Sequence, residues 1–184
     1  MHDIGNLFSA WLEFRRGKRK KPDVQQFEFN LEDNLFELQD QLAARAYRHG
    51  PYVAFYVTDP KLRHIHKATV RDRVVHQAVF RLLYSIFDPA FILDSYSCRV
   101  GKGTHRAVDR LESFCRKASR NNSRNIFALK CDVMKFFDSV DQRILILAIR
   151  RQVVDPDMLW IIDLLLKSFC VSPDKGLPLG NVTS

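Results

Sequence analysis

Along most of this chain apolar residues recur at the three- and four-residue spacing of amphipathic helices. One β-type stretch and one short apolar run interrupt that rhythm. Leu7, Phe8, Trp11, Leu12 and Phe14 predict a short helix that ends in charge. Asn30-Leu31-Glu32-Asp33 reads as an N-cap with acids in the first turn, and Leu31, Leu35, Leu38 and Leu42 continue as one seam, expected to stop near His49-Gly50-Pro51. Residues 52–58 are aromatic and β-branched, Asp59-Pro60 suits the first two positions of a type I turn, and residues 62–67 can return as a second strand, so a hairpin is expected. The strongest helical pattern covers residues 69–87, with Val74, Val75, Ala78, Val79, Leu82, Leu83 and Ile86 on a broad apolar face and Arg73, Gln77 and Arg81 on another. Asp88-Pro89 stops it, and a Gly-punctuated basic turn at residues 99–105 leads into a further helix from about Thr104 to Arg116.

Ile126, Phe127, Ala128 and Leu129 then form an apolar run of strand type that ends at Asp132, followed by Phe136, Phe137 and a capped helix start at Asp138, Ser139 and Asp141. Ile144, Leu145, Leu147, Ala148 and Ile149 predict a buried helix. Asp155-Pro156 opens another, with Met158, Leu159, Ile161, Ile162, Leu165, Leu166 and Phe169 toward a core. The Gly- and Pro-containing stretch at residues 176–184 closes the chain with helix-capping residues. Runs of helices broken by few strands give an α+β expectation.

With 184 residues and 46% hydrophobic content the chain can build one core or two small lobes. A formal charge of +8 and a pI near 9.5 favour a polyanionic partner, nucleic acid foremost. Six cations in residues 15–21 read as an exposed basic turn or arm, open to three readings: a solvated charge run, phosphate contact or a localisation signal. No apolar run approaches the roughly 18 residues of a membrane helix, and Met1-His2-Asp3 begins nothing like a signal peptide. A cytoplasmic protein that enters no membrane is expected. Cys98, Cys115, Cys131 and Cys170 show no metal spacing and are expected to be free, mostly packed thiols.

The chemistry centres on Asp132. A carboxylate at the end of a strand, with bulky Phe136 and Phe137 close behind, can hold a hard cation such as Mg²⁺. Taken alone, such an Asp is more often a turn cap. The hairpin would carry Lys61 and Arg63 at its tip, either as an ordinary basic loop or as a grip on a triphosphate. Gly101-Lys102-Gly103-Thr104 is not a P-loop, because no Gly stands four residues before a Gly-Lys pair followed directly by Ser or Thr. Arg99 and Lys102 beside the opening helix remain candidates for contact with a nucleic-acid backbone.

The order of these pieces resembles the fingers and first palm segments of bacterial retroelement reverse transcriptases, the group that includes group II intron, retron and diversity-generating retroelement enzymes. The resemblance runs through Asp59 to Arg63, Val70 to His76, Phe87 to Pro89, Ser95 to Gly103, Asp132 to Asp141 and Gly176 to Ser184. It implies a right-hand polymerase: a mostly helical fingers region with a β-hairpin over residues 1–124 and an incomplete palm over residues 125–184. The implied activity is RNA-directed DNA synthesis with Mg²⁺, on an RNA template with a DNA or RNA primer and dNTPs. By motif, Asp132 is the catalytic metal-binding Asp and the Val133 carbonyl a further ligand. Lys61 and Arg63 grip the triphosphate. Phe137 is the ring that would collide with a ribose 2′-OH, Gly180 belongs to the dNTP-binding loop, and Arg71, Arg99 and Lys102 contact nucleic acid.

Two departures qualify it. Leu179 stands before Gly180 where many of these enzymes have Gln, which leans toward the diversity-generating branch. The chain also holds no Tyr-x-Asp-Asp, and Asp132 alone cannot hold two metals. The stretch is therefore expected to be inactive by itself, as the front part of a polymerase, or alternatively to be a non-catalytic RNA-binding remnant.

Overall fold

The computed structural model describes residues 2–58 and 61–180; the Asp59-Pro60 turn and the capping residues at 181–184 lie outside them. Among the described residues the fold is α+β, mostly helical with a two-stranded antiparallel hairpin. No helix there is long and apolar enough to cross a membrane. The chain divides into two compact units, residues up to 84 together with residues from 135 onward, and residues 85–134.

The first unit opens with α1 (Ile4–Phe14), whose N-cap Asp3 accepts from the Asn6 amide at 3.0 Å. Its Leu7, Ala10, Trp11 and Phe14 are buried, and Trp11, with no exposed surface, stacks against Phe27 at 5.1 Å. The basic run is a turn, not a free arm. Lys18 folds back to donate to the Phe14 carbonyl at 2.7 Å, Arg15 pairs with Glu28, and Lys21 begins α2 (Pro22–Phe29). Sequence periodicity did not predict α2, since it buries only Val24 and Phe27. The leucine seam forms α3 (Leu31–Ala43), burying Leu35, Leu38 and Leu42.

Helix α3 ends well before Gly50. Arg45 takes a left-handed φ of 52°, and the amides of Ala46 and Tyr47 turn back to the Gln41 carbonyl. The chain then runs extended to serve a buried charge on α4 (Val70–Phe87). Asp72 has no exposed surface and accepts hydrogen bonds from Tyr47 Oη at 2.7 Å, Thr69 Oγ1 at 2.6 Å and the Gly50 amide at 3.1 Å. A buried carboxylate is tolerated only when so surrounded. Beside it the His49 and His76 rings stack with Nε2 atoms 3.1 Å apart, and His49 Nδ1 donates to the Gly50 carbonyl. On the same helix Arg81 reaches Glu13 and Asn6, and Gln77 reaches Glu13, so α4's polar face is bound to α1.

The hairpin pairs β1 (Val53–Thr58) with β2 (Leu62–Lys67), from Val53 opposite Lys67 to Thr58 opposite Leu62. After α6 (Phe136–Ser139) come α7 (Gln142–Ile149), capped by Asp141, and α8 (Pro156–Lys167), capped by Asp155 onto the Met158 amide. Helix α8 buries Met158, Ile161, Ile162 and Leu165, as its pattern requires. Helix α7 does not: Ile144 and Leu147 stay exposed, and Gln142 is its buried residue.

The second unit contains a short 3-10 helix (Asp88–Ala90), an irregular stretch, α5 (Thr104–Ala118) and a polar turn around the buried Ser119. The expected strand at residues 126–129 is absent. That segment is irregular, and Phe127 and Leu129 are 99% and 91% exposed. A strand exists only by pairing, and β1 and β2 are the paired strands among the described residues. The cysteines are free, as expected, but Cys98, Cys131 and Cys170 are exposed instead of packed.

The histidine pair makes stability pH-dependent. Burial first, and the neighbouring His49 second, push the His76 pKa from 6.5 down to about 4, against the opposing pull of Asp72, with Arg73 adding to the depression. Between those values the unfolded chain takes up a proton that the folded chain does not, so stability falls as pH drops from 6.5 toward 4 and this contribution is flat above. The loss should approach about 3 kcal/mol. Urea unfolding of wild type and His76→Gln at half-unit pH steps checks it: the two curves should diverge through that window, and parallel curves would show that His76 does not carry the effect.

Candidate functional site

The hairpin stands largely in solvent, and its base is fixed by contacts. Lys67 pairs with Asp23 at 2.7 Å, the His66 amide donates to the Leu179 carbonyl at 3.1 Å, and the His66 ring packs on Phe169 at 4.6 Å. Across the strands Tyr56 lies flat on His64, with ring centroids 4.5 Å apart. One stacked cross-strand pair and the tilted His66 ring, 4.4 Å from His64, thus line this part of the hairpin.

Opposite it sits α6, which the chain enters through Lys135 in the left-handed conformation (φ 50°, ψ 42°). A bulky residue at positive φ is unusual, and the Phe136 and Phe137 rings that follow it lie edge to face at 5.4 Å. Three backbone bonds tie this segment to the loop after α8: Gly176 donates to Val140, Leu177 to Phe137 and Gln142 to Asp174, the first and last making the Asp141–Lys175 bridge. The buried Gln142 side chain donates to the Phe169 and Gly176 carbonyls at 2.7 and 2.9 Å. Sequence reasoning gave Gln142 no role, and no local pattern marks it, because its partners lie far along the chain.

These three pieces enclose a cleft of about 530 Å³. Arg63 and His64 line it from β2, Phe137 and Asp138 from α6, and Leu177 and Leu179 from the C-terminal loop. Arg63 is exposed and Phe137 half-buried. Burial, then the nearby His64, hold the His66 pKa below its usual value, while Asp138 pulls the other way. Gly180, at φ +103°, follows the Leu179 carbonyl that β2 holds, and a Cβ there would stand 2.8 Å from Ile65 Cγ2. The cleft therefore offers a cation, an aromatic wall and flat imidazole rings. It suits a ligand with an anionic end and a planar or ring-shaped body.

Of the residues singled out from sequence, Arg63, Phe137 and the loop leading into Gly180 come together in this cleft; Lys61 is exposed on the same hairpin. Arg71 is engaged internally, donating to the Arg48 carbonyl and to Gln41 and lying over the Tyr47 ring at 4.7 Å. Asp132, Val133, Arg99 and Lys102 belong to the unit of residues 85–134. There Arg99 clasps its own loop, donating to Asp88 Oδ1 at 2.7 Å, to the Asp88 carbonyl and to Ile92 and Ser95. Lys102 donates to the Leu93 carbonyl and lies over the Tyr96 ring. Asp132 is exposed, its Oδ1 accepting from the Val133 amide at 3.0 Å.

Asp132 and the Val133 carbonyl are oxygen donors of the kind a hard cation takes. One carboxylate does not make a two-metal site, and no group of three His, Cys, Asp or Glu side chains converges among the described residues. These residues by themselves do not fit a two-Mg²⁺ site.

No protein-family model matches the chain. It is 24% identical over 155 residues to Protein YkfC of Escherichia coli (strain K12), an alignment covering 80% of this chain and 40% of that protein. The chain thus spans less than half the length of that relative.

The loop closing the cleft should depend on Gly180. Gly180→Ala introduces strain at φ +103° and a contact with Ile65, so Leu179 should lift from β2. Hydrogen exchange reads this directly: the His66 amide should lose protection roughly tenfold while the α4 amides stay unchanged. Unchanged protection at His66 would mean that the loop tolerates the side chain.

Proposed function

We propose that this chain is the nucleotide-gripping front part of an RNA-directed DNA polymerase of the reverse-transcriptase kind, taking a deoxynucleoside triphosphate in the cleft between the hairpin and α6. The observation that supports this most is the meeting of Arg63, Phe137 and the Leu177–Leu179 loop in one cleft of nucleotide size. The +8 charge is consistent with an RNA template and a primer as partners.

In this reading the Arg63 guanidinium receives the triphosphate, and exposed Lys61 adds charge at the hairpin. A fork of N–H donors suits phosphate oxygens, and bonds to charged groups contribute about 1.5–3 kcal/mol each. The Phe137 ring forms the wall against which a sugar packs, and an added 2′-OH would lose that fit. The Leu179 carbonyl, held by β2, keeps the cleft's floor in place.

A second reading, a non-catalytic RNA-binding remnant, draws on the exposed position of Asp132 on an unpaired segment. Nucleotide binding separates the two. Under the polymerase reading the purified chain binds all four dNTPs, and Arg63→Ala weakens each of them about tenfold, since the lost contact is to phosphate and not to a base. Phe137→Val should narrow the preference for dNTP over rNTP roughly tenfold, whereas Phe136→Val leaves the ratio unchanged. Competition binding with the four dNTPs measures the first, and with dATP against ATP the second. Loss confined to one base, or a sugar preference indifferent to Phe137, would leave the remnant reading in possession.

A further inference from the structure

Within the first unit lies a second concavity, of about 570 Å³, walled by α2, α3, the start of β1 and the junction of β2 with α4. Its character differs from that of the cleft. Three primary amides face it, Gln26 from α2, Asn30 from the α2–α3 junction and Asn34 from α3, alongside the apolar surfaces of Phe27 and Val53. Asn30 stands at the N-cap of α3 but makes no side-chain capping bond, which leaves its amide available. Asn34 donates its Nδ2 to the Phe27 carbonyl at 3.0 Å, so its oxygen remains an acceptor. Val53 is 64% exposed although it opens a strand. Gln26 and Asn30, beside this exposed apolar wall, spend no side-chain hydrogen bond on holding the fold, while Asn34 spends only its donor.

The charge around them is positive. Asp23 lines the concavity, but Lys67 and Arg73 both hold its Oδ2, at 2.7 and 2.8 Å, and Arg71 adds a further cation. Burial works against the Asp23 carboxylate, yet the hydrogen bonds and charges of Lys67 and Arg73 outweigh it and keep its pKa below the ordinary value. The basic turn at residues 15–21 adjoins this cluster, because Lys18 and Arg73 each lie 4.9 Å from the centre of the Phe14 ring.

We propose that this concavity seats one unpaired nucleotide of a single-stranded RNA, its base edge against Gln26, Asn30 and Asn34 and its backbone running toward Lys67 and the basic turn. A primary amide carries a donor and an acceptor side by side, the pattern that base edges present in return, and unpaired bases are where proteins read RNA. A duplex turns those edges inward and is too wide for a space of single-nucleotide size. An acidic peptide would be met by amides where it needs cations. This deepens the proposed function by giving the template a seat; it rests on that reading's RNA partner and is independent of the dNTP cleft.

The test uses the 184-residue chain and single-stranded RNA carrying 4-thiouridine. Photo-crosslinks should map to residues 26–34 or to Val53. By fluorescence anisotropy the double variant Gln26→Ala/Asn30→Ala should bind that RNA about tenfold more weakly with its salt dependence unchanged, since amides touch bases. Arg19→Gln/Lys20→Gln should instead flatten the slope of log affinity against log salt by about 1.4, or 0.7 per phosphate contact. Gln26 and Asn30 are exposed, so folding should survive, and Asn30→Asp, which adds repulsion without loss of volume, should weaken binding at least as much. Wild-type affinity in the amide variants, crosslinks elsewhere, or equal binding of a fully paired RNA would each overturn the proposal. Arg63→Ala should leave the crosslinks at residues 26–34 in place. If dNTP binding depends on Arg63 while RNA ignores the amides, this inference fails alone; if RNA binds through the amides and no dNTP binds, the polymerase reading fails alone.

Discussion

A fully buried carboxylate is the constraint on which the first unit depends. Asp72 takes its donors from Tyr47, Gly50 and Thr69, so the segment after α3 cannot continue as helix and must run back along α4. That path sets where β1 begins, and the hairpin with its Arg63 projects from there. The energetics are asymmetric. Each of these bonds contributes about 1–3 kcal/mol when charge is involved, but removing a donor strands a desolvated charge and costs at least as much. The cluster thus defines a backbone route more sharply than apolar packing would. It is also continuous with the stacked His49 and His76 rings and, through Tyr52 and its bond to Ser168, with the end of α8.

A second set of fixed points holds the opposite wall. Gln142 donates to two carbonyls of the loop after α8, and the backbone bonds from Gly176 and Leu177 fasten that loop to α6. Gly176 sits at φ +103° with Val171 Cγ2 2.8 Å from where a Cβ would be, so the tight return there requires glycine. The cleft is consequently shaped by backbone and buried amide contacts, while the side chains that face into it make few of the contacts that hold it. Such a division lets the cleft's chemistry change without loss of the fold.

What could be read from the sequence follows from how local each cause is. The hairpin, α4 and α8 carry their own signals: β-branched runs between Pro-containing turns, a broad apolar face, and Asp-Pro at a helix start. Asp72 is marked locally only as the acid of a Thr69-x-x-Asp72 capping box, its amide donating to Thr69 Oγ1 at 3.2 Å; nothing marks its other donors, Gly50 and Tyr47, which lie 22 and 25 residues earlier. The segment at 126–129 shows the opposite failure. Its composition favours a strand, but the strand needs a ladder partner that the described residues do not supply. In the same way the apolar positions of α7 gave helix correctly and burial wrongly. The convergence of Arg63, Phe137 and the Leu179 loop was legible only as an order of motifs; no periodicity or spacing in the chain implies that they meet.

The basic charge, too, divides once partners are known. Arg71, Arg99 and Lys102 are candidate nucleic-acid contacts by their place in the sequence, yet each spends donors on its own neighbourhood, Arg99 on four acceptors within one loop. A guanidinium committed to an ion pair with Asp88 would have to surrender it to bind phosphate, and the exchange gains little. Arg81 and Arg73 are similarly bound to Glu13 and Asp23. The cations on the basic turn at Arg16, Arg19 and Lys20, and those of the hairpin at Lys61 and Arg63, stand in solvent or half in it. Counterion release rewards those charges most, because they reach phosphate without first breaking a bond within the protein. The polyanion-binding capacity of the first unit therefore concentrates on two short turns, one on either side of the amide-lined concavity in sequence, and far less on the arginines of its longest helix.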